Sequence, residues 1–243
     1  SPYLKYYEYI KEHGYSRHLY EFKDEYANMP VDVQKDEKKG LYYVQKEKKR
    51  LYFRKSTPAK KIQKYYRALS MEQDRRSPHH YFNSVKEVTG KVFVDVGCAE
   101  GYSSLEIIEE AKHVYLFEQD EQWLEAIRAT FEPWQDKVTI VQKYVSDHNS
   151  SREQTLDDFF NNQTNEHLFL KMDIEGAERH ALAGCNNLFQ NCQKLDFAIC
   201  TYHLRDDEEV ISAFLDKHNC TYINQKGFFR HKIRSVVMRG SKK

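Results

Sequence analysis

The sequence predicts an α/β fold: an open, mostly parallel sheet with a terminal antiparallel hairpin, preceded by a smaller helical and β-meander appendage. Three observations predict it. Residues 92–104, VFVDVGCAEGYSS, read as a buried strand, a glycine-bearing turn and a helix start. From there on, apolar strand-like runs alternate with helical patterns, which implies a sheet covered on both faces. The chain then closes on CTYINQ and IRSVVMRG, which pair as a hairpin. The expected division is an appendage over 1–89 and a sheet domain over 90–243.

In chain order, the first 30 residues are rich in tyrosine: Tyr3, Tyr6, Tyr7, Tyr9, Tyr15, Tyr20 and Tyr26. Tyr3, Tyr6, Tyr7 and Ile10 line one helical face, expected to pack on the main domain. The alternative is a partner or sugar-stacking surface, because tyrosine offers apolar area and a hydroxyl; such a face would also serve a homodimer. Residues 31–55 read as a meander, VDVQ, LYYVQ and LYFRK, with the basic KEKKR run as a solvated hairpin tip. Thr57-Pro58 opens a helix, Thr57 as N-cap and Pro58 at the first helical position. Ile62, Tyr65, Tyr66 and Leu69 supply its buried stripe.

The helix runs into MEQDRRSPHHYF, where Pro78 breaks it. This stretch is either a lid over a ligand cleft or a linker with solvated charges. As a lid it brings Asp74, Arg76 and His79 to a substrate, with Tyr81 and Phe82 as an apolar wall.

The sheet domain then reads as strands over 92–97, 113–118, 138–142, 168–172 and 195–200. Helices cover 102–111 and 121–131. Shorter ones start near 155 and run through Leu182 and Leu188, and a last one carries Val210, Ile211, Phe214 and Leu215.

The chain has 243 residues, enough for one full core and an appendage. Its 38 Lys and Arg against 37 Asp and Glu leave a net charge of +1, so no global basic field argues for nucleic acid. The five cysteines form no CxxC and are expected to be reduced and buried. There is no signal-peptide pattern or membrane-length apolar run, and a cytoplasmic location is expected.

In open sheets of this kind ligands bind at the carboxyl ends of the strands. The first strand places Asp95, Gly97, Cys98, Ala99, Glu100 and Gly101 there. This spacing is not the dinucleotide fingerprint G-x-G-x-x-G, and Glu100 would repel a pyrophosphate. A ligand with a cationic centre and a nucleoside fits better. Glu118 follows Asp95 by roughly the 20 residues usual for a carboxylate gripping ribose hydroxyls. The third strand gives Ser146 and Asp147, the fourth Lys171, Asp173 and Glu175, and the fifth Tyr202, His203 and Arg205.

The set VFVDVGCAEGYSS, VYLFEQD, TLDDFF and LKMDIEGAE resembles the FkbM-type family of S-adenosylmethionine-dependent methyltransferases of class I, over about residues 90–240. DIEGAE is the most specific element. Ala99 departs from the glycine common at its position. The resemblance implies a Rossmann-like class I methyltransferase sheet, S-adenosyl-L-methionine as cofactor, and methyl transfer to a hydroxyl of a saccharide, glycolipid or small natural product. It implies that the 97–101 loop cradles the methionine part and that Asp95 orients the loop or binds the amino group. Glu118 would bind the ribose, Ser146 and Asp147 would lie by the adenine, and Asp173 near the sulfonium methyl.

An alcohol is a poor nucleophile, so a base beside it helps. His203 qualifies by its titration range and Asp173 by its position. Glu175 and Tyr202 complete the substrate side. Glu100, Asp173, Glu175 and His203 are metal-donor types, but no HExxH or paired-cysteine spacing exists and no metal is assigned. The alternatives are an RNA or protein methyltransferase and a non-catalytic nucleoside-binding scaffold. No Asn/Asp-Pro-Pro-aromatic tetrad, expected for methylation of base nitrogens, follows the fourth strand.

Overall fold

Residues 3–16, 19–161, 166–229 and 232–242 are described by the structure, a computed structural model. The appendage begins with α1 (Leu4–His13) and α2 (Lys23–Ala27). The meander follows as β1 (Val33–Asp36), β2 (Leu41–Lys46) and β3 (Lys49–Tyr52), each antiparallel to the next. It is not a free-standing unit. Leu41, Leu51 and Phe53 share one apolar core with Leu105, Ile127 and Phe131 of the main domain. The backbone N–H of Tyr52 also donates to Thr130 Oγ1 at 3.0 Å.

Helix α3 (Ala59–Glu72) starts one residue later than the Thr57-Pro58 signal implies: Pro58, in an extended conformation, is the N-cap. The Thr57 N–H is used in a turn to the Arg54 carbonyl. Ile62 is fully buried, whereas Tyr65 is 37% exposed and turns towards a cavity. The tyrosine face of α1 differs more from expectation. No residue of α1 is buried, although Tyr6 meets Phe228 of the main domain with ring centroids 5.1 Å apart.

The main domain follows as β4 (Val92–Val96), α4 (Tyr102–Ile107), β5 (His113–Phe117), α5 (Glu121–Phe131) and β6 (Val138–Val141). A small parallel pair, β7 (Tyr144–Val145) and β8 (Glu153–Gln154), leads into α6 (Leu156–Phe159). Then come β9 (His167–Met172), α7 (Glu178–Ala183), α8 (Asn186–Asn191), β10 (Lys194–Cys200), α9 (Asp207–Lys217), β11 (Thr221–Phe229) and β12 (Lys232–Lys242). The seven-stranded sheet has the order β11-β12-β10-β9-β4-β5-β6, with β12 antiparallel to both neighbours and the other pairs parallel.

Strand alternation sorts the residues into two layers. Val92, Val94 and Val96 pack with Leu168, Leu170 and Met172 under Leu182, Phe189 and Ile211 of the following helices. Phe93 and Phe169 belong to the opposite layer, which α5 and the meander cover. Asp95 and Lys171 have the parity of that second layer and are register partners across β4 and β9. The chain leaves β4 towards β5 on one side, while β9 lies on the other. The strand order therefore reverses at β4, which is where open sheets bind ligands.

The strap after α3, residues 73–83, is pinned from both sides. Gln225 Nε2 donates to the carbonyls of Pro78 and His80, both at 3.0 Å. Arg239, 8% exposed, contacts His80 Nε2 at 2.8 Å, donates to Asn83 and pairs with Glu87 at 2.7 Å. On the other side Tyr26 Oη donates to Asp74, and Arg76 pairs with Glu25 and Asp74. The solvated-linker reading therefore does not hold.

Candidate active site

The carboxyl ends of β4, β5, β9 and β10 open into a cavity of about 1120 Å³. Asp95, Glu100, Glu118, Asp147, Asp173 and Glu175 line it, together with Phe117, Trp123 and Val145. The cover comes from the appendage, through Arg54, Tyr65, Leu69, Glu72, Gln73 and Tyr81.

Asp95 is 1% exposed and doubly held. Its Oδ1 lies 2.8 Å from Lys171 Nζ, and its Oδ2 accepts from Ser104 Oγ at 2.6 Å. A buried carboxylate needs such partners. Lys171 also donates to the Gly97 carbonyl at 2.6 Å, so it ties strand end and loop together. Burial alone would lower the Lys171 ammonium, but the carboxylates of Asp95 and Asp173 outweigh it and hold it above its ordinary range.

The loop after β4 is fixed by its own backbone. The N–H groups of Gly97 and Cys98 donate to the Phe117 carbonyl. Glu118 accepts from Ala99 N at 3.1 Å and from Asp120 N at 2.8 Å, which aims its carboxylate along the cavity wall. The two glycines of the loop serve packing against neighbouring elements. A Cβ on Gly97 would sit 2.2 Å from the Asp173 carbonyl oxygen, and one on Gly101 would sit 2.7 Å from the Phe131 ring. Gly97 admits β9's turn and Gly101 admits α5; neither side-chain direction points into ligand space, and Gly101 is absent from the lining. Cys98 and Ala99 line the cavity, and Ala99 adopts a left-handed φ of 47°.

Glu100 is 4% exposed and accepts from Tyr65 Oη at 2.7 Å. Burial pushes its carboxyl up, and the Tyr65 hydrogen bond opposes that. Tyr65 stacks near Trp123, and Arg54 lies over the same indole at 4.0 Å. Ser146 is buried beside Asp147, which hydrogen bonds to His148 and His180 hold down to about 2.

The opposite end centres on Asp173. Tyr81 Oη donates to Oδ2 at 2.7 Å, and Tyr202 Oη reaches Oδ1 at 3.5 Å. Burial and Asp173 together push both phenols well up, so they remain donors. His203 lies behind Asp173 rather than on the wall, with a side chain 5% exposed. Burial would lower its imidazole, but Glu178, Asp173 and Glu175 raise it overall.

Three expected substrate contacts are corrected. Asp74, Arg76 and His79 all face away from the cavity. Asp74 and Arg76 pair with each other and with the arm residues Tyr26 and Glu25. His79 is 5% exposed, shares a hydrogen bond with Tyr20 Oη at 2.6 Å and packs against Tyr202 and Phe229. Asp74 and Arg76 belong to the tight 74–77 turn, closed by Ser77 N donating to the Asp74 carbonyl at 2.8 Å, and lie on its arm side. Glu175 and Tyr202 do line the cavity, with Glu175 at 92% side-chain exposure.

Sequence reasoning missed Tyr65, Gln73 and Glu178 as site residues. Glu178 closes the DIEGAE motif, so its signal was present without a role. Tyr65 carried only its helical phase.

The donor set fits a ligand with cationic and nucleoside parts. Acids predominate in the lining, Phe117, Val145 and Trp123 add apolar surface, and Glu118 joins them just after β5. The acids outnumber the lining cations Arg54, Lys143 and Lys171, which disfavours a pyrophosphate.

Comparison with known proteins agrees. The chain is similar in fold to the crystal structure of Methyltransferase FkbM from Methylobacillus flagellatus KT, with TM-score 0.51 and 19% identity over 62% of this chain and 43% of that one. The chain thus spans less than half of that protein's length. Weaker likeness extends to magnesium protoporphyrin IX methyltransferase from Synechocystis PCC 6803, solved with S-adenosylmethionine bound (TM-score 0.48, 12% identity, 77% and 86% covered). An rRNA methylase from Streptococcus thermophilus is similar at TM-score 0.44 and 11% identity, over 65% of this chain and 89% of that one. No curated protein matches. The methyltransferase FkbM domain matches residues 59–223, from the start of α3 into β11. The chain belongs to the FkbM family of class I, S-adenosylmethionine-dependent methyltransferases.

Proposed function

We propose that the protein methylates a hydroxyl of a saccharide, glycolipid or small natural product. The observation that carries this reading is the setting of Asp173: a carboxylate at the cavity floor, 22% exposed, flanked by two phenols that fix its direction. S-adenosylmethionine, when bound, supplies a methyl group already activated on a sulfonium. The protein's work is then alignment, exclusion of water and removal of one proton.

The loop from Gly97 to Glu100, with Glu118 at the ribose and Ser146 and Asp147 near the adenine, holds the donor. Tyr81 locks Oδ2 of Asp173, and Oδ1, which has only the longer 3.5 Å contact from Tyr202, is the oxygen offered to the acceptor. The acceptor oxygen forms the new bond to carbon as the methyl–sulfur bond breaks, and its proton passes to the carboxylates of the 173–175 turn. Gln73, Glu72 and Tyr202 offer polar contacts to an acceptor rich in hydroxyls. Among the described residues no helix is long and apolar enough to cross a membrane.

The test is incubation with methyl-labelled cofactor and separate panels of glycans, small hydroxylated molecules, RNA and protein. Label in an ether linkage of a small acceptor is expected. Label only in RNA or protein would overturn the reading.

A further inference from the structure

The turn after β9 crowds three carboxylates around one imidazole. Asp173 Oδ1 lies 3.5 Å and Glu175 Oε2 3.6 Å from His203 Nε2, and Glu178 Oε1 lies 2.9 Å from Nδ1. The Glu178 side chain is fully buried, and that of His203 is 5% exposed. Yet Glu178 Oε2 and both ring nitrogens of His203 have no hydrogen-bond partner, so the 2.9 Å approach lacks hydrogen-bond alignment. Orphaned buried polar atoms carry an uncompensated desolvation cost, larger when charged. Charge does not balance either: three carboxylates face at most one imidazolium. Neighbouring cations make their direct contacts elsewhere, although Lys171 also feels the Asp173 charge. Lys171 serves Asp95 and the Gly97 carbonyl, and Arg179 serves Asp206 and Asp207.

We propose that Asp173, Glu178 and His203 bind a divalent cation beneath the acceptor end of the cavity. One ligand atom from each lies within 4.8 Å of the others, so a contraction of some tenths of an ångström closes the shell. The carboxylates keep oxygens to offer. Tyr81 occupies Oδ2 of Asp173, while Oδ1 holds only the long 3.5 Å contact from Tyr202; Ile174 N donates to Oε1 of Glu178 at 2.9 Å and leaves Oε2. Two carboxylate oxygens with one imidazole nitrogen suit Mn²⁺ better than Mg²⁺, and the set lacks the thiolates that soft metals prefer. Asp173 is the ligand that faces the cavity, so the open coordination positions point to the acceptor.

Sequence spacing gave no metal signal because the ligands come from two loops, after β9 and after β10, rather than from one helix. The site's role rests on the hydroxyl-transfer reading above. There the cation polarises the acceptor O–H, and the proton passes to the exposed Glu175 carboxylate and on to solvent. The oxygen lone pair forms the bond to carbon, and the electrons of the methyl–sulfur bond stay on sulfur.

The experiment titrates Mn²⁺ into the full chain without acceptor and follows the electron paramagnetic resonance signal of the free aqua ion. One equivalent should bind at concentrations up to about 1 mM, and His203→Asn and Glu178→Gln should each weaken binding by about 10-fold or more. Calorimetric affinity for S-adenosylmethionine, unchanged in both variants, reports that they remain folded. Absence of Mn²⁺ binding to the wild type, or wild-type affinity in both folded variants, overturns the site. O-methylation at full rate in a chelator, with no bound Mn²⁺, would sink the cation and leave the function. Stoichiometric Mn²⁺ lost in the two variants, with no hydroxyl acceptor methylated, would leave the site and sink the function.

Discussion

The strand ends and the strap that covers them present similar residues to very different effect. At the ends of β4, β5 and β9, Asp95, Glu118 and Asp173 all face one cleft, because parallel strands in register deliver their last residues to one edge. In the strap, Asp74, Arg76 and His79 are equally polar and stand close to the same cleft in sequence, yet all three face away from it. Only Gln73 and Tyr81, at the two ends of the 74–80 loop, turn inward. Strand position assigns a side chain to a site; loop composition does not.

The largest test of the strand-end half is Gly97→Ala. Its Cβ would meet the Asp173 carbonyl at 2.2 Å and Ile174 Cγ2 at 2.6 Å, at a φ of +78°. Both contacts belong to the β9 turn, so either β4's loop or Asp173 must move. Stability should fall by about 3 kcal/mol or more, read by chemical denaturation. A loss under about 1 kcal/mol would show that the two turns are not in contact.

Glu118→Ala comes next. It removes the proposed ribose acceptor and two backbone contacts, so S-adenosylmethionine affinity should fall by about 1.5–3 kcal/mol. Wild-type calorimetric affinity in the folded variant would remove Glu118 from the cofactor site.

The strap is tested by its two faces. Tyr81→Phe deletes the donor to Asp173 while keeping the ring, and should lower acceptor kcat/KM by about tenfold at unchanged cofactor affinity. Asp74→Asn and Arg76→Gln touch only the outer face. They should stay within about twofold of wild type in kcat/KM and speed proteolysis ahead of residue 31 instead. An outer-face variant as impaired as Tyr81→Phe would mean that the arm acts on the acceptor through the strap.

What was legible follows the same division. The sheet, its terminal hairpin and the acids at its edge were readable because period-two burial and a glycine turn are local signals. Glu118 and Asp173 needed only a strand to place them. Tyr65 at Glu100 and Tyr81 at Asp173 span 35 and 92 residues, and no local pattern carries such a contact. The pinning of the strap by Gln225 and Arg239 is longer still, at 145 and 159 residues to His80. The α1 face was misjudged for a related reason: helical phase shows which tyrosines share a side, but not whether another surface lies against it.

The smallest effect is also the most local. Ala99 stands where glycine is common in class I enzymes, and its φ of 47° shows what glycine would supply there. A left-handed alanine is strained by its Cβ, by roughly 1–2 kcal/mol. The strain is held by the Ala99 N–H bond to Glu118 and by the flanking Cys98 N–H bond to Phe117. Ala99→Gly should relieve it, but glycine also loses more chain entropy on folding, by roughly 0.5–1 kcal/mol. The net expectation is a gain of up to about 1 kcal/mol in the denaturation midpoint analysis, with Glu118 still in place. The outcome separates two accounts of the loop. A gain means that the backbone path is dictated by the strand ends and alanine merely tolerates it. A clear loss, with weaker cofactor binding, would mean that the Ala99 methyl packs against the ligand, and that the departure from glycine shapes this pocket.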